Sequence, residues 1–222
     1  AHLACRQITC GPALPKEGDV ERAGVGVLRV HLLHDGLAEL LDRVSPGGVA
    51  ALQVGKALGA HVIGTSGSLE KLERLKPLGL DVALHTRASD FAPAVMQATH
   101  NKGVDLVVNN VGGSVFDACV ASMGFQARLA MVGYVDGHVE SKIDLNALHS
   151  KRLQLFGVSN KMRNTAHRIA AAQALERDLL PMLADGRVTP WVDQVFALDD
   201  LPVAQQCMQS NQHMGKLVLR VD

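Results

Sequence analysis

From residue 60 onward the chain alternates short, unbroken apolar runs with segments of helical periodicity, and this alternation is what most limits its fold. The runs fall at 60–65, 81–85, 104–111, 128–134 and 153–159. Before the first run, 49–58 reads as an Ala-rich helix stopped by Gly59, and after it a second helix from Leu69 places Leu72 and Leu75 on one face. Asp90 is the predicted cap of a third helix carrying Phe91, Val95 and Met96. Phe116, Cys119, Val120 and Met123 share one face of a fourth. Strands that are apolar throughout rather than alternating are buried on both faces, so they belong in a parallel sheet covered by helices. The expected fold class is therefore α/β, a doubly wound parallel sheet.

The two ends read differently. Residues 165–185 form one long predicted helix, followed by a strand at 191–196, a helix at 200–209 and a strand at 216–221, a C-terminal β-α-β tail. Residues 1–46 are irregular, with Gly11-Pro12 and Pro15 near the start. Within them 25–33 reads as a strand, the sixth of the sheet, yet Leu28, Leu32, Leu33, Leu37, Leu40, Leu41 and Val44 also fit helical spacing, and both readings stay open. The expected division is an atypical segment over 1–46 and a nucleotide-binding domain over 47–222.

Composition excludes several classes. Lys+Arg and Asp+Glu number 22 each, so no net basic field gathers nucleic acid or an anionic membrane. No run of 18 apolar residues is present, and the start of the chain lacks the pattern of a secretory signal. Four Cys are too sparse for a disulfide scaffold, which points to a reducing, cytoplasmic setting. Cys5 and Cys10 lack the spacing of a zinc lobe, Cys119 and Cys207 fall on apolar helix faces, and the His residues are scattered, so no metal site is expected.

Chemistry concentrates at two places. Pro46-Gly47-Gly48-Val49 opens the first helix, where glycines let a phosphate approach the free N–H groups of a helix start. Taken alone, the same residues also read as a plain turn. The following apolar run ends in Gly64-Thr65-Ser66-Gly67-Ser68-Leu69-Glu70-Lys71, where a cofactor ribose would meet the sheet. No acid stands at that strand end. Hydroxyls and Lys71 suit a ribose 2′-phosphate, hence NADP(H) over NAD(H), while the plainer reading makes Ser68 a cap and Lys71 a solvated lysine.

The chain from Gly47 resembles the cofactor domain of the medium-chain dehydrogenase/reductase superfamily, in its zinc-independent quinone oxidoreductase and double-bond reductase branch. The resemblance is carried by Ala50-Ala51-Leu52-Gln53, Ala57-Leu58-Gly59-Ala60, Gly64-Thr65-Ser66-Gly67-Ser68 with Lys71, Gly103-Val104-Asp105-Leu106-Val107, Asn110-Val111-Gly112-Gly113, Gly124, Arg128-Leu129-Ala130-Met131-Val132-Gly133 and Gly215-Lys216-Leu217-Val218-Leu219. It implies a Rossmann fold binding NADP(H). Gly47, Gly48 and Val49 would lie against the pyrophosphate, Ser66 and Lys71 would hold the 2′-phosphate, and Thr86 would sit near the adenosine end. Asn110 would face the cofactor, and Gly133, Tyr134 and Val158 to Asn160 would approach the nicotinamide half. No catalytic residue is assigned; Tyr134 packs on the nicotinamide in this reading.

The departures are informative. Members of this superfamily exceed 300 residues and carry an N-terminal GroES-like lobe that supplies most of the substrate pocket; no counterpart is legible here. In relatives a Pro-Gly-Asp-x-Val segment leads directly into the first strand and glycine loop, whereas here residues 21–46 separate Glu17-Gly18-Asp19-Val20 from Gly47. A truncated, spliced or frameshifted form is the expectation. The leading reading is an NADPH-dependent oxidoreductase transferring a hydride to a quinone or an activated alkene or carbonyl compound, in truncated form. The alternatives are a catalytically silent nucleotide-binding remnant or interaction module, and a domain that binds no nucleotide. A homodimer through the sheet edge is expected from the resemblance.

Overall fold

The structure is a computed structural model that describes residues 6–7, 28–31, 48–86, 89–159, 161–210 and 213–221. The chain forms two compact units, Val25–Thr189 and a smaller one made of Ala1–Gly24 with Pro190–Asp222.

In chain order the strands and helices are β1 (Arg6–Gln7), β2 (Leu28–His31), α1 (Gly48–Ala57), β3 (His61–Ser66), α2 (Leu69–Leu75), β4 (Val82–His85), α3 (Ala92–Ala98) and β5 (Val104–Asn109). They continue with α4 (Phe116–Ala121), β6 (Met123–Met131), α5 (Leu145–Ser150), β7 (Gln154–Gly157), α6 (Thr165–Asp178), α7 (Leu180–Ala184), β8 (Val192–Ala197), α8 (Leu201–Gln209) and β9 (Lys216–Arg220).

The larger unit holds a six-stranded sheet in the order β4-β3-β2-β5-β6-β7. β3 and β4 are parallel, as are β5, β6 and β7. β2 is antiparallel to both β3 and β5, so the two flanking groups run the same way and share one carboxyl edge. The α/β class and the Rossmann-type sheet are as expected, with one central strand reversed. An apolar run encodes burial but not direction, and β2 does not feed straight into a glycine turn: residues 32–47 intervene.

The core follows from the apolar runs. In β5, Val104, Leu106, Val107 and Val108 are all buried, as a strand covered on both faces requires. Val104 and Val107 pack with Ile63, Val95, Cys119, Met123 and Leu129 into one cluster. Cys119 is thus a core side chain, fully buried. Gly59 takes the left-handed conformation (φ 80°) that stops α1 and turns the chain into β3. At the amino edge of the sheet, Asp81 takes two hydrogen bonds from Lys56 Nζ at 2.8 and 3.0 Å and one from Val62 N–H at 2.7 Å. That ties α1 to β3. Gln53, buried in α1, donates to Thr189 O at 2.9 Å and accepts from Thr189 N–H at 2.8 Å.

Three local expectations are corrected. Asp90 does not cap α3: Phe91 occupies the cap position, and Asp90 instead accepts from the Thr86 hydroxyl at 2.7 Å. Met123 opens β6 rather than closing α4. The single helix over 165–185 is two, because Pro181 has no N–H to continue α6 but is well placed in the first turn of α7.

In the smaller unit, β8 and β9 are parallel and β9 is antiparallel to β1, with Arg6 opposite Leu219 and Gln7 opposite Val218. Lys216 N–H donates to Trp191 O at 2.8 Å.

Candidate functional site

Those of the residues singled out from the sequence that the structure describes lie at or near the carboxyl edge of the parallel strands. β3 ends at Ser66, β4 at His85, β5 at Asn109, β6 at Met131 and β7 at Gly157. Helix α1 is followed within four residues by β3, so it runs back along the sheet and its amino end, about 15 Å away along the axis, returns toward that edge. Gly48 and Val49 open α1 and are half-buried, and its first turn carries no acid. Gly47 lies outside the described residues.

At the ends of β3 and β4 the sequence forms a tight hydrogen-bonded corner. Ser66 is buried, and its hydroxyl accepts from Ser68 N–H at 3.1 Å. Ser68 caps α2 by accepting from Lys71 N–H at 3.3 Å. The Thr86 amide donates to Ser66 O at 3.0 Å, which joins the two strand ends. His85 Nε2 lies 3.3 Å from Gly67 O. Ser66, Lys71 and Thr86 therefore belong to one corner, in which Ser68 does act as a cap.

At the ends of β5 and β6 a second group assembles. Val132 and Gly133 donate to Asn109 O at 2.9 and 3.3 Å, and Val135 donates to Asn110 O at 3.4 Å. A Cβ on Gly133 would stand 3.4 Å from that same Asn110 carbonyl. Asn110 and Gly133 are thus neighbours; Tyr134, beside them, is 54% exposed and open to a ligand. Val158 is buried and its amide donates to Met131 O at 2.9 Å, continuing the row to β7. Asn160 lies outside the described residues.

Two side chains here escaped the sequence reading. Asn109 is fully buried, and its Oδ1 accepts from Val111 and Gly112 N–H at 2.9 and 3.0 Å while its Nδ2 donates to Gly112 O at 3.0 Å. It shapes the turn in which Asn110 stands. Asp136, 3% exposed, accepts from the Ser114 and His138 amides at 2.9 Å each and from the Ser114 hydroxyl. The adjacent Asn pair was a visible signal for the first; an Asp beside Gly137 reads as an ordinary turn residue, so sequence offered none for the second.

Among the described residues no group of three His, Cys, Asp or Glu side chains is placed to hold a metal, and no helix is long and apolar enough to cross a membrane.

A doubly wound sheet whose parallel strands end along one carboxyl edge is of the Rossmann class. Residues 46–176, more than half of the chain, match the zinc-binding dehydrogenase family, and the chain belongs to that family. It is similar to mycobacterial Rv1454c, solved in complex with NADPH (26% identity, TM-score 0.66, 86% of this chain and 64% of that one). It is also similar to a quinone oxidoreductase from Pseudomonas syringae pv. tomato (25% identity, TM-score 0.61, 78% and 53%). Among curated proteins it resembles the phthioceranic/hydroxyphthioceranic acid synthase of Mycobacterium tuberculosis, at 27% identity over 234 residues. That match takes in 96% of this chain but only 11% of the synthase. The chain thus spans a small part of its curated relatives and about half to two thirds of these solved ones.

Proposed function

We propose that the chain binds NADP(H) along the carboxyl edge of its sheet and serves an oxidoreductase that passes a hydride to a quinone or to an activated alkene or carbonyl compound. The observation that carries this reading is the corner of Ser66, Ser68, Lys71 and Thr86: hydroxyls and a lysine, with no carboxylate from Ser66 to Leu69, while Glu70 stands in the first turn of α2 and Asp90 accepts from the Thr86 hydroxyl. An acid there would hydrogen-bond a ribose 2′-hydroxyl and repel a 2′-phosphate; a cation and hydroxyls favour the phosphate.

The residues present fit the cofactor. Ser66, Lys71 and Thr86 would hold the adenosine end, and Gly47, Gly48 and Val49 the pyrophosphate at the acid-free start of α1. Asn110, Gly133, Tyr134, Val158 and Asn160 would flank the nicotinamide. When bound, NADPH supplies the hydride; the chain's own residues orient it and exclude water. The similarity to an NADPH-complexed structure and to a quinone oxidoreductase supports this reading.

The reversal of β2 favours a second reading. A Rossmann strand that enters the glycine turn directly positions its phosphate cradle, whereas here residues 32–47 separate β2 from α1. If the displaced turn cannot cradle a pyrophosphate, the domain binds no nucleotide; if it still binds one without turnover, the chain is a catalytically silent nucleotide-binding module.

NADPH oxidation assayed with a quinone and with an enone separates the two. Turnover with either supports the enzyme; NADPH binding without turnover supports the silent module. We further propose a cytoplasmic homodimer joined through β7, one of the two outer strands of the sheet, where Leu155 is 36% exposed. Light scattering that returns a monomer contradicts the dimer.

A further inference from the structure

The loops that follow β5 and β6 are joined by several backbone bonds and by one buried carboxyl group. We propose that Asp136 is the positioning residue for the nicotinamide end of the site, acting through Ser114 and the Gly112-Gly113 turn; this rests on the functional reading above.

Asp136 Oδ2 accepts from the Ser114 amide and hydroxyl, and Oδ1 accepts from the His138 amide. Its own N–H donates to Val111 O at 2.9 Å, and Gly113 N–H donates to His138 O at 2.8 Å. The Ser141 hydroxyl adds a bond to Gly113 O at 2.9 Å. The imidazole of His138, mostly exposed, is the nearby titratable group, with Nδ1 3.0 Å from Asp136 O and 3.8 Å from Oδ2. A buried carboxylate is costly unless donors surround it, and here three donors do so.

The geometry leaves no slack. Gly112 adopts φ 134° and ψ −152°, a conformation suited to glycine, and a Cβ there would collide with the Asp136 carboxyl group. A Cβ on Gly113 would collide with the carbonyl oxygens of Glu140 and His138. Both glycines are needed so that the two loops can close on Asp136. The same loops carry Asn110 on one side and Gly133 and Tyr134 on the other, joined by the Val135-to-Asn110 bond. Cutting the carboxyl contacts of Asp136 removes two of the bonds that join the loops flanking the nicotinamide and a third within the second loop, leaving the backbone bonds between them, and leaves the corner at Ser66 and Thr86 untouched. Reactions that depend on placement lose about 100-fold in rate for a displacement of about 1 Å.

The test uses the full chain with Asp136→Asn and, as a milder variant that spares the buried carboxyl group, Ser114→Ala. Two probes are titrated: NADPH, read by its nicotinamide fluorescence, and 2′,5′-ADP, which carries only the phosphorylated adenosine end. Asp136→Asn is expected to weaken NADPH about tenfold while 2′,5′-ADP changes less than twofold, with Ser114→Ala shifted the same way by a smaller factor. Hydrogen exchange should rise in both loops, 110–114 and 132–138. Unchanged NADPH affinity in both variants overturns the proposal, and so does equal loss of both probes, the mark of a general structural defect. A wild-type chain that binds neither probe removes the functional reading and this proposal with it.

Discussion

The amide of Thr86 donates to the carbonyl of Ser66 at 3.0 Å, so the ends of β3 and β4 meet in one corner. That bond brings together three positions, Ser66, Lys71 and Thr86, which lie up to 20 residues apart in sequence. It makes the strand end a shaped surface rather than a loose loop.

If this corner binds a 2′-phosphate, Lys71 contributes one charge-assisted contact. Lys71→Ala keeps the backbone bond to Ser68, so the cap of α2 survives. The expected outcome is an NADPH dissociation constant raised about tenfold, which is ~1.4 kcal/mol, with NADH affinity unchanged. Fluorescence titration with both nucleotides checks it.

The direction of β2 is open to a cross-linking test. His31 is paired with His61, whereas Leu28 is paired with Gly64, three residues further along β3. Paired Cα atoms stand about 4.5–5.5 Å apart, within disulfide reach. The pair His31→Cys with His61→Cys should close on oxidation, and the pair Leu28→Cys with His61→Cys should not. The opposite result places β2 parallel to its neighbours.

Gly112→Ala combines a left-handed φ with a collision against Asp136. The expected loss of stability is about 2–4 kcal/mol, read as a lowered urea midpoint with an unchanged slope.

Asp81 sets a pH dependence. Burial raises its pKa, but the Lys56 hydrogen bond, the Val62 amide and the charges of Lys56 and His61 together bring it below the usual aspartate range. A depressed folded pKa means that the stabilisation is present above the unfolded value, about pH 4, and is lost as pH falls through the lower folded value. Because both partners are partly solvated, the contribution at neutral pH is about 0.5–1.5 kcal/mol. Urea unfolding of wild type and Asp81→Asn should differ by that amount at pH 7, and the gap should narrow at pH 3.

Much of the fold was legible because burial on both faces writes itself into sequence as unbroken apolar runs. β5 is the clearest case, and β3, β4, β6 and β7 fall within a few residues of their expected ends. Strand direction was not legible: the alternating Leu28-Arg29-Val30-His31 reads the same either way, and only its neighbours decide its sense. The strand ends that carry the proposed site positions were legible where glycines and hydroxyls mark them, as at Ser66, Asn110 and Gly133. It was not legible where long-range hydrogen bonding decides a side chain's role. Asp90 satisfies every local rule for a cap, yet Thr86 claims it. Asp136 looks like a turn residue, and its partner Ser114 lies 22 positions away.

Isothermal titration of the full chain with NADPH and NADH shows whether this sheet edge binds a nicotinamide nucleotide and prefers the 2′-phosphorylated form. Saturable binding of NADPH at least tenfold tighter than NADH is the predicted result. Equal affinity for the two nucleotides, or heat of dilution alone from both, contradicts it.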